Sequence, residues 1–210
     1  MINCILCESQ NTETLYRDNE STYLQCNRCS LVFLKPGQRL EPDEEKSRYD
    51  LHENDPADPD YRQFLSQLFI PLQNRLSPNS FGLDYGSGPG PTLHIMFEEA
   101  GHRMNIFDPF YDNNQEVLNN TYDFITTTET AEHFYYPKQE FNLLWSLLKP
   151  GGYLGIMTKL LHSPEKFYNW HYKDEDTHVT FYSKSTFLWL SEFYGSNVEF
   201  FGDRTVIFKK

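Results

Sequence analysis

Hydrophobic positions beyond residue 60 follow two periods, one typical of helices and one typical of strands. Residues 61–76 (YRQFLSQLFIPLQNRL) carry apolar side chains at helical spacing, and Pro71 predicts either a kink or the start of a second helix. Three further helices are predicted in PTLHIMFEEAG, YPKQEFNLLWSLLKPGG and SKSTFLWLSEFYG, and four strands in FGLDYG, RMNIFD, YDFITTT and YLGIMTKL. The C-terminal segment VEFFGDRTVIFKK predicts a hairpin around Gly202 and Asp203.

Helices and strands that alternate in this way predict an α/β fold with a mostly parallel sheet, to which the C-terminal hairpin adds an antiparallel strand. Ligands of such sheets bind beyond the carboxyl ends of the strands, near the point where the strand order reverses. Chemically capable side chains are therefore expected in the segments that follow the predicted strands.

Four cysteines near the N-terminus form two CxxC pairs, Cys4 with Cys7 and Cys26 with Cys29, separated by 18 residues. This spacing is typical of a zinc ribbon, in which four thiolates close a tetrahedral site. Three short strands are predicted around the pairs, and so small a module would depend on the metal for its folding. We predict a structural Zn²⁺ site. A redox dithiol is the alternative, and four cysteine ligands leave no open position for catalysis by the metal.

The segment after this module is strongly acidic. Residues 41–60 contain nine acidic and two basic residues, a local net charge of −7. Because like-charged runs tend to stay extended, a solvated connector is predicted there. The predicted organisation is therefore a zinc ribbon over residues 1–40, an acidic connector over 41–60 and an α/β domain over 61–210.

The charge and composition of the chain limit the kinds of partner that the protein is expected to bind. The chain has 18 basic and 30 acidic residues, a formal net charge of −12, so a nucleic-acid partner is not expected. No apolar run reaches the ~20 residues that span a membrane, and the N-terminus lacks the features of a signal peptide. We expect a cytoplasmic protein with no membrane partner, either a monomer or a weak homodimer.

The segment LDYGSGPG, residues 83–90, ends a predicted strand in three glycines separated by single residues. The spacing of Gly86, Gly88 and Gly90 differs from the G-x-G-x-x-G fingerprint that cradles a pyrophosphate. Asp84 precedes these glycines, and Asp108 stands 20 residues beyond Gly88, where a carboxylate can accept hydrogen bonds from ribose hydroxyls. These residues predict a nucleoside-containing cofactor without a pyrophosphate, although a tight turn between strand and helix also requires glycines.

The segments LDYGSGPG, IFDPF, YDFITTTETAEHF and LKPGGYLGIMTK together resemble the successive motifs of class I S-adenosylmethionine (SAM)-dependent methyltransferases. The resemblance covers about residues 60–210, and NWHYKDEDTHVTFYS resembles a subgroup in which a Cys4 zinc ribbon precedes the catalytic domain. It implies a Rossmann-like fold, SAM as cofactor and a methyl-transfer reaction (EC 2.1.1). The implied cofactor-binding residues are Asp84, Gly86, Ser87, Gly88 and Gly90 around the methionine part, Asp108 at the ribose, and Pro109, Thr127, Thr128 and Glu129 along the rest of the cofactor.

One interval departs from the family pattern. Family members place a helix, a strand and another helix between the ribose acid and the YDFIT-like strand, whereas residues 109–122, only 14 in number, separate Asp108 from Asp123 here. We therefore predict a sheet that is shortened at one edge, and the usual adenine-contacting acid has no counterpart. Phe107, Pro109 and Phe110 are predicted to form an apolar wall for adenine instead.

Histidines that titrate near neutrality follow the predicted strands and are candidate general bases. His133 and His178 are the first choices for a catalytic or acceptor-binding role, and hydrogen bonding to loop backbone is the alternative for His133. The other candidates in the loop after the fourth strand are Tyr182 and His171, with Trp170 and Tyr172 as residues that either stack on an acceptor or pack a lid.

The sequence thus predicts a methyltransferase that acts on a small molecule or a biosynthetic intermediate, with oxygen, nitrogen and carbon acceptors all open. An RNA methyltransferase that grips RNA through the ribbon is one alternative, which the acidic charge disfavours. A non-catalytic SAM-binding partner protein is another, which the intact Gly86, Gly88, Gly90 and Asp108 disfavour.

Overall fold

The computed structural model describes residues 2–51 and 54–210 of the chain. Its N-terminal module consists of three antiparallel strands, β1 (Thr12–Arg17), β2 (Thr22–Cys26) and β3 (Val32–Leu34). The residues between the cysteines of each CxxC pair lie in turns beside this small sheet. The three strands predicted around the cysteines are therefore confirmed.

The acidic segment that follows contains a helix, α1 (Pro42–Tyr49), so the prediction of an extended chain is wrong there. Pro42 stands at the start of the helix, where its fixed φ is already helical. Three acids occupy the first turn and Lys46 and Arg48 occupy the last, which is the order that the helix dipole favours. The arrangement of these charges, rather than their sum, explains the helix. His52 and Glu53 of the predicted connector lie outside the described residues.

The next helix, α2 (Pro59–Gln73), runs through Pro71, so no second helix begins at that proline. Pro71 lacks the N–H that would bond to the carbonyl of Gln67 one turn earlier. The hydroxyl of Thr205 donates to that carbonyl instead, at 3.1 Å. The buried face of α2, with Leu65, Leu68 and Leu72, packs on the central sheet.

The part of the chain that follows α1, which we call the larger unit, is built around a six-stranded sheet. In chain order its elements are β4 (Phe81–Tyr85), α3 (Leu93–Glu99), β5 (Arg103–Phe107), β6 (Tyr122–Thr128), α4 (Pro137–Leu147) and β7 (Leu148–Met157), then β8 (Thr180–Phe181) outside this sheet, α5 (Lys184–Tyr194), β9 (Asn197–Phe201) and β10 (Thr205–Lys209). The strand order is β5-β4-β6-β7-β10-β9, in which β5, β4, β6 and β7 are parallel and β10 is antiparallel to both neighbours. The predicted α/β fold with an antiparallel hairpin is confirmed.

The edge of the sheet at β5 is short, as the interval after Asp108 predicts. A short 3-10 helix, Gln115–Asn119, lies in the connection from β5 to β6, and no further strand pairs with β5 among the described residues. The strand order reverses between β4 and β6, which places the predicted ligand site above these two strands.

The cysteine module shares a sheet with the larger unit. Strand β8 pairs with β3, with Val32 opposite Phe181, and the backbone N–H of Leu34 donates to the carbonyl of Val179 at 2.8 Å. The aromatic side chains of Tyr23 and Phe181 meet across this junction at 5.7 Å between ring centroids. In the described part of the chain, no helix has both the length and the apolar character needed to cross a bilayer.

Candidate functional site

A cavity of about 590 Å³ opens at the carboxyl ends of β4, β5 and β6. Its walls are the turn after β4 (residues 86–89), the segment after β5 (108–111) and the segment after β6 (128–135). Helices α1 and α2 line its other sides with Glu45, Tyr49, Tyr61 and Phe64. The volume lies within the range of small-molecule sites.

The glycine turn after β4 is tied to both neighbouring strands. Gly86 and Gly88 have φ angles of +78° and +69°, a region that side-chain-bearing residues rarely adopt. The N–H groups of Gly86 and Ser87 donate to the carbonyl of Phe107, and the hydroxyl of Thr130 donates to the carbonyl of Gly86 at 3.0 Å. The turn therefore holds the segments after β5 and β6 against the cavity.

The conformation of this turn predicts a large cost for Gly86→Ala. An added Cβ would lie 2.1 Å from the Cγ2 of Thr130, in addition to the strain of a positive φ. We expect the free energy of unfolding in urea to fall by about 2–4 kcal/mol. The matched control is Gly202→Ala, where φ is +65° and no atom lies within 4 Å of the added Cβ, so strain alone should cost about 1–2 kcal/mol. Equal losses in the two variants would contradict the clash with Thr130.

The carboxylate of Asp108 organises the wall of the cavity that follows β5. One oxygen accepts the N–H of Gly88 at 2.9 Å, and the other accepts the N–H groups of Phe110 and Tyr111 at 2.9 and 3.1 Å. A carboxylate offers about four acceptor positions, so acceptor capacity remains toward the cavity that Asp108 lines. Pro109 and Phe110 line the same wall, whereas Phe107 is buried behind it and stacks on Tyr85.

Three predicted cofactor residues do not line the cavity. Asp84 is buried and accepts the hydroxyl of Thr126 at 2.7 Å. Thr127 is fully buried, and its side chain points to the opposite face of β6 from Thr128, since successive side chains alternate along a strand. A Cβ on Gly90 would lie 2.2 Å from the backbone oxygen of Asn54, so packing of the chain itself requires this glycine.

Burial, and then the charge of Asp108, raise the pKa of Asp84 to about 6. This value exceeds the unfolded value of 3.8, so the protonated form is favoured by the fold. The contribution of Asp84 to stability is therefore present below about pH 4 and is lost as the pH rises to about 6. We expect Asp84→Asn to match the wild type in urea unfolding at pH 4 and to exceed it by about 2–3 kcal/mol at pH 7. A parallel pH dependence of Asp84→Asn and wild type would contradict the shift.

Two glutamates follow β6 and face the cavity. Glu129 has a φ of +47°, and its carboxylate lies 3.4 Å from the guanidinium of Arg204. Burial, and then the charge of Glu132, raise the pKa of Glu129 to about 8. The hydroxyl of Tyr172 donates to the carboxylate of Glu132, and it lies 3.5 Å from that of Glu129.

His133 and His178, predicted from separate loops, lie side by side in the cavity with ring centroids 4.9 Å apart. The Nδ1 of His133 lies 2.9 Å from the carbonyl of Thr177, and the Nδ1 of His178 lies 2.5 Å from the carbonyl of Tyr172. A carboxylate oxygen of Glu132 and one ring nitrogen of each histidine all lie within 4.8 Å of one another. The sequence indicated both histidines but not Glu132 as their neighbour.

The remaining candidates lie outside the cavity. Tyr182 is fully buried, and its hydroxyl donates to the carbonyl of Ala131 at 3.0 Å. The side chain of His171 is fully exposed. Trp170 packs against Tyr172 and Phe181, which corresponds to the alternative of a packed lid.

Several cavity residues have no signal in the sequence. Glu45 and Tyr49 come from α1, and burial raises the pKa of Glu45. The hydroxyl of Tyr85 donates to Glu140 of α4 at 2.5 Å, and both residues line the cavity. The helical order of charges in residues 42–49 is a local signal for α1, but its position over the cavity depends on tertiary packing.

The four cysteines form a second cluster, which does not line the cavity. Their sulfur atoms all lie within 4.8 Å of one another, with Cys4 and Cys29 at 3.6 Å and Cys7 and Cys26 at 3.4 Å. These separations exceed a disulfide bond and are close to the ~3.8 Å between sulfur atoms around a tetrahedral zinc ion. The predicted grouping of Cys4, Cys7, Cys26 and Cys29 is thus seen in the structure.

Comparison with known proteins identifies the larger unit. Residues 57–199 match the model of a family described as a methyltransferase domain. The chain belongs to this methyltransferase family. Membership supports SAM-dependent methyltransferase activity and confirms the class I resemblance, whereas the zinc-ribbon subgroup stays a prediction. A search of curated proteins found no match.

Solved structures show the fold of this methyltransferase domain. The 1,6-didemethyltoxoflavin-N1-methyltransferase of Burkholderia thailandensis, solved with 1,6-didemethyltoxoflavin and S-adenosylhomocysteine, has a TM-score of 0.53 and 13% identity, and the match covers 94% of this chain and 97% of that one. A SAM-dependent methyltransferase of Archaeoglobus fulgidus has a TM-score of 0.51 and 17% identity, over 71% of this chain and 99% of that one. At such identities the similarity shows the fold alone.

Proposed function

We propose that the protein transfers a methyl group from SAM to a small-molecule acceptor. The observation that carries this proposal is the convergence of the glycine turn and Asp108 on one cavity of about 590 Å³, in a chain that belongs to a methyltransferase family. When bound, SAM supplies a methyl group on an electrophilic sulfonium. Such a reaction depends mainly on placing donor and acceptor together. The main contribution of the cavity walls to catalysis is therefore to position the two reactants.

The residues present fit this cofactor. The hydroxyl oxygens of Ser87 and Thr128 are buried at the cavity and have no hydrogen-bond partner within residues 2–51 and 54–210. A polar ligand in the cavity would satisfy both. We propose that residues 86–88 contact the methionine part, that Asp108 accepts the ribose hydroxyls, and that Pro109 and Phe110 form the wall for adenine. Asp84, Gly90 and Thr127 would then support the site from behind.

The acceptor end is proposed at His133 and His178. Five glutamates line the cavity, and its described lining contains neither lysine nor arginine. This lining favours a neutral or cationic acceptor and disfavours the phosphates of RNA. A small acceptor also fits the position of α1, because this helix covers the cavity with Glu45 and Tyr49.

We also propose a structural Zn²⁺ at Cys4, Cys7, Cys26 and Cys29. Three of these cysteines are buried, and the separations of the sulfur atoms suit tetrahedral coordination. With four thiolate ligands the ion would have no open position, so its contribution is to folding.

Titration calorimetry tests the proposed cofactor. We expect SAM and S-adenosylhomocysteine to bind with one site per chain, and the dinucleotide NAD to give no heat because the turn lacks the pyrophosphate spacing. Absence of binding by both SAM and its demethylated product would overturn the proposal. Salt-dependent binding of RNA by the full chain would instead favour the RNA methyltransferase.

A further inference from the structure

Three side chains at the acceptor end of the cavity form what we name the Glu132 cluster, which consists of Glu132, His133 and His178. All three line the cavity, and one ligand atom from each lies within 4.8 Å of the other two. Glu132 and His133 are consecutive in the turn after β6, whereas His178 comes from the segment before β8. Folding therefore brings a carboxylate and two imidazoles to one point.

The backbone fixes which nitrogen of each histidine carries its proton. A carbonyl oxygen can only accept, so the Nδ1 atoms of His133 and His178, at 2.9 and 2.5 Å from the carbonyls of Thr177 and Tyr172, are the protonated ones in the neutral rings. The Nε2 atoms then carry the lone pairs. A metal-binding histidine is oriented in this way, through a hydrogen bond from its other nitrogen to a carbonyl.

The carboxylate of Glu132 is buried, and part of its capacity to accept hydrogen bonds is unused. Glu132 is fully buried, one oxygen accepts the hydroxyl of Tyr172, and Oε2 has no hydrogen-bond partner among the described residues. A buried carboxylate oxygen without a partner is costly and calls for an ion or a water. Glu129 adds a second carboxylate nearby, and its own ion-pair partner is Arg204, at 3.4 Å.

We propose that the Glu132 cluster binds a divalent transition-metal ion at the acceptor end of the cavity. Two imidazoles and one carboxylate suit Mn²⁺, Fe²⁺, Co²⁺ or Zn²⁺ and leave open positions, whereas Mg²⁺ and Ca²⁺ prefer oxygen ligands alone. The open positions would take an acceptor with a neutral oxygen donor, such as a hydroxyl. This inference rests on the proposed function and narrows its substrate class to oxygen-bearing small molecules.

Binding of Mn²⁺ to the full chain tests the site, since four thiolates select softer ions and the cysteine site should not compete for Mn²⁺. The loss of the free Mn²⁺ signal in electron paramagnetic resonance gives stoichiometry and affinity. We expect one saturable Mn²⁺ per chain, and at least tenfold weaker binding in both Glu132→Gln and His178→Ala. The control His171→Ala removes an exposed histidine outside the cluster and should bind Mn²⁺ as the wild type does.

Cobalt gives a second readout on the wild type alone, which stands even if a variant fails to fold. Co²⁺ held by nitrogen and oxygen shows weak d–d bands, whereas Co²⁺ held by thiolates shows strong charge-transfer absorption. We expect one Co²⁺ per chain with weak d–d bands, in addition to the metal at the cysteines. Absence of saturable Mn²⁺ and Co²⁺ binding outside the cysteines, or unchanged binding in both cluster variants, would overturn the proposal.

SAM titration of the same samples separates this inference from the function on which it rests. SAM binding without metal binding overturns the metal site and leaves the methyltransferase proposal in place. Metal binding that the cluster variants lose, together with no SAM binding, supports the metal site and overturns the proposed cofactor.

Discussion

Asp108→Ala is expected to weaken SAM binding at least 100-fold in titration calorimetry. Two contributions add up in this variant. The first is the loss of charge-assisted hydrogen bonds to the ribose, each of which contributes about 1.5–3 kcal/mol. The second is the loss of the three hydrogen bonds that the Asp108 carboxylate accepts from the backbone N–H groups of Gly88, Phe110 and Tyr111. The glycine turn and the proposed adenine wall would then no longer share an anchor.

A matched control separates the carboxylate from its loop. Asp112 pairs with Asp108 through both backbone N–H groups, at 2.9 and 3.1 Å, but its side chain does not line the cavity. Asp112→Ala should therefore change SAM affinity less than threefold. Asp108→Asn keeps a side-chain oxygen for the amides of the loop and loses the charge, so an intermediate loss of affinity is expected. Wild-type affinity in Asp108→Ala, with Asp112→Ala equally unaffected, would exclude Asp108 from the cofactor site.

Much of the cofactor side of the site could be predicted because its determinants are local. A turn that needs a φ of +78° at Gly86 requires a glycine, and a carboxylate at the end of the next strand falls beside it in any parallel sheet. The short interval from Asp108 to Asp123 likewise limits what can lie between two strands. These features are visible in a sequence because each depends on a few neighbouring residues.

The acceptor side could be predicted only in part because it depends on contacts between distant segments. The sequence indicated His133 and His178 singly, but their proximity to each other and to Glu132 depends on the segment before β8 lying against the turn after β6, where the N–H of Val179 donates to the carbonyl of Glu132. The net charge of residues 41–60 also predicted an extended chain, whereas the structure has helix α1 there, with Lys46 and Arg48 at its C-terminal end. The position of α1 over the cavity, with Tyr49 5.2 Å from the ring of His133, has no local signature.

Removal of the proposed zinc is expected to loosen the acceptor end of the cavity as well as the cysteine module. The backbone N–H of Leu34 in β3 donates to the carbonyl of Val179 at 2.8 Å, and the N–H of Val179 donates to the carbonyl of Glu132 at 2.9 Å. His178 is the neighbour of Val179 in the chain. The cysteine module is therefore connected through β3 to the two segments that supply the proposed acceptor end.

Hydrogen exchange followed by mass spectrometry measures this connection in the full chain with Cys26→Ser. We expect loss of one zinc per chain, a melting temperature lower by about 10 °C, and faster exchange in residues 30–35 and 177–182. Residues 83–90 are tied to β5 and β6 instead, so their protection from hydrogen exchange should not change. The affinity for SAM should stay within about threefold of the wild-type value. The control Asn27→Ala alters the same CxxC turn without removing a thiolate and should retain zinc. Unchanged exchange in residues 177–182 after loss of the metal would show that β8 stands without the cysteine module, and the ribbon would then have no part in shaping the acceptor site.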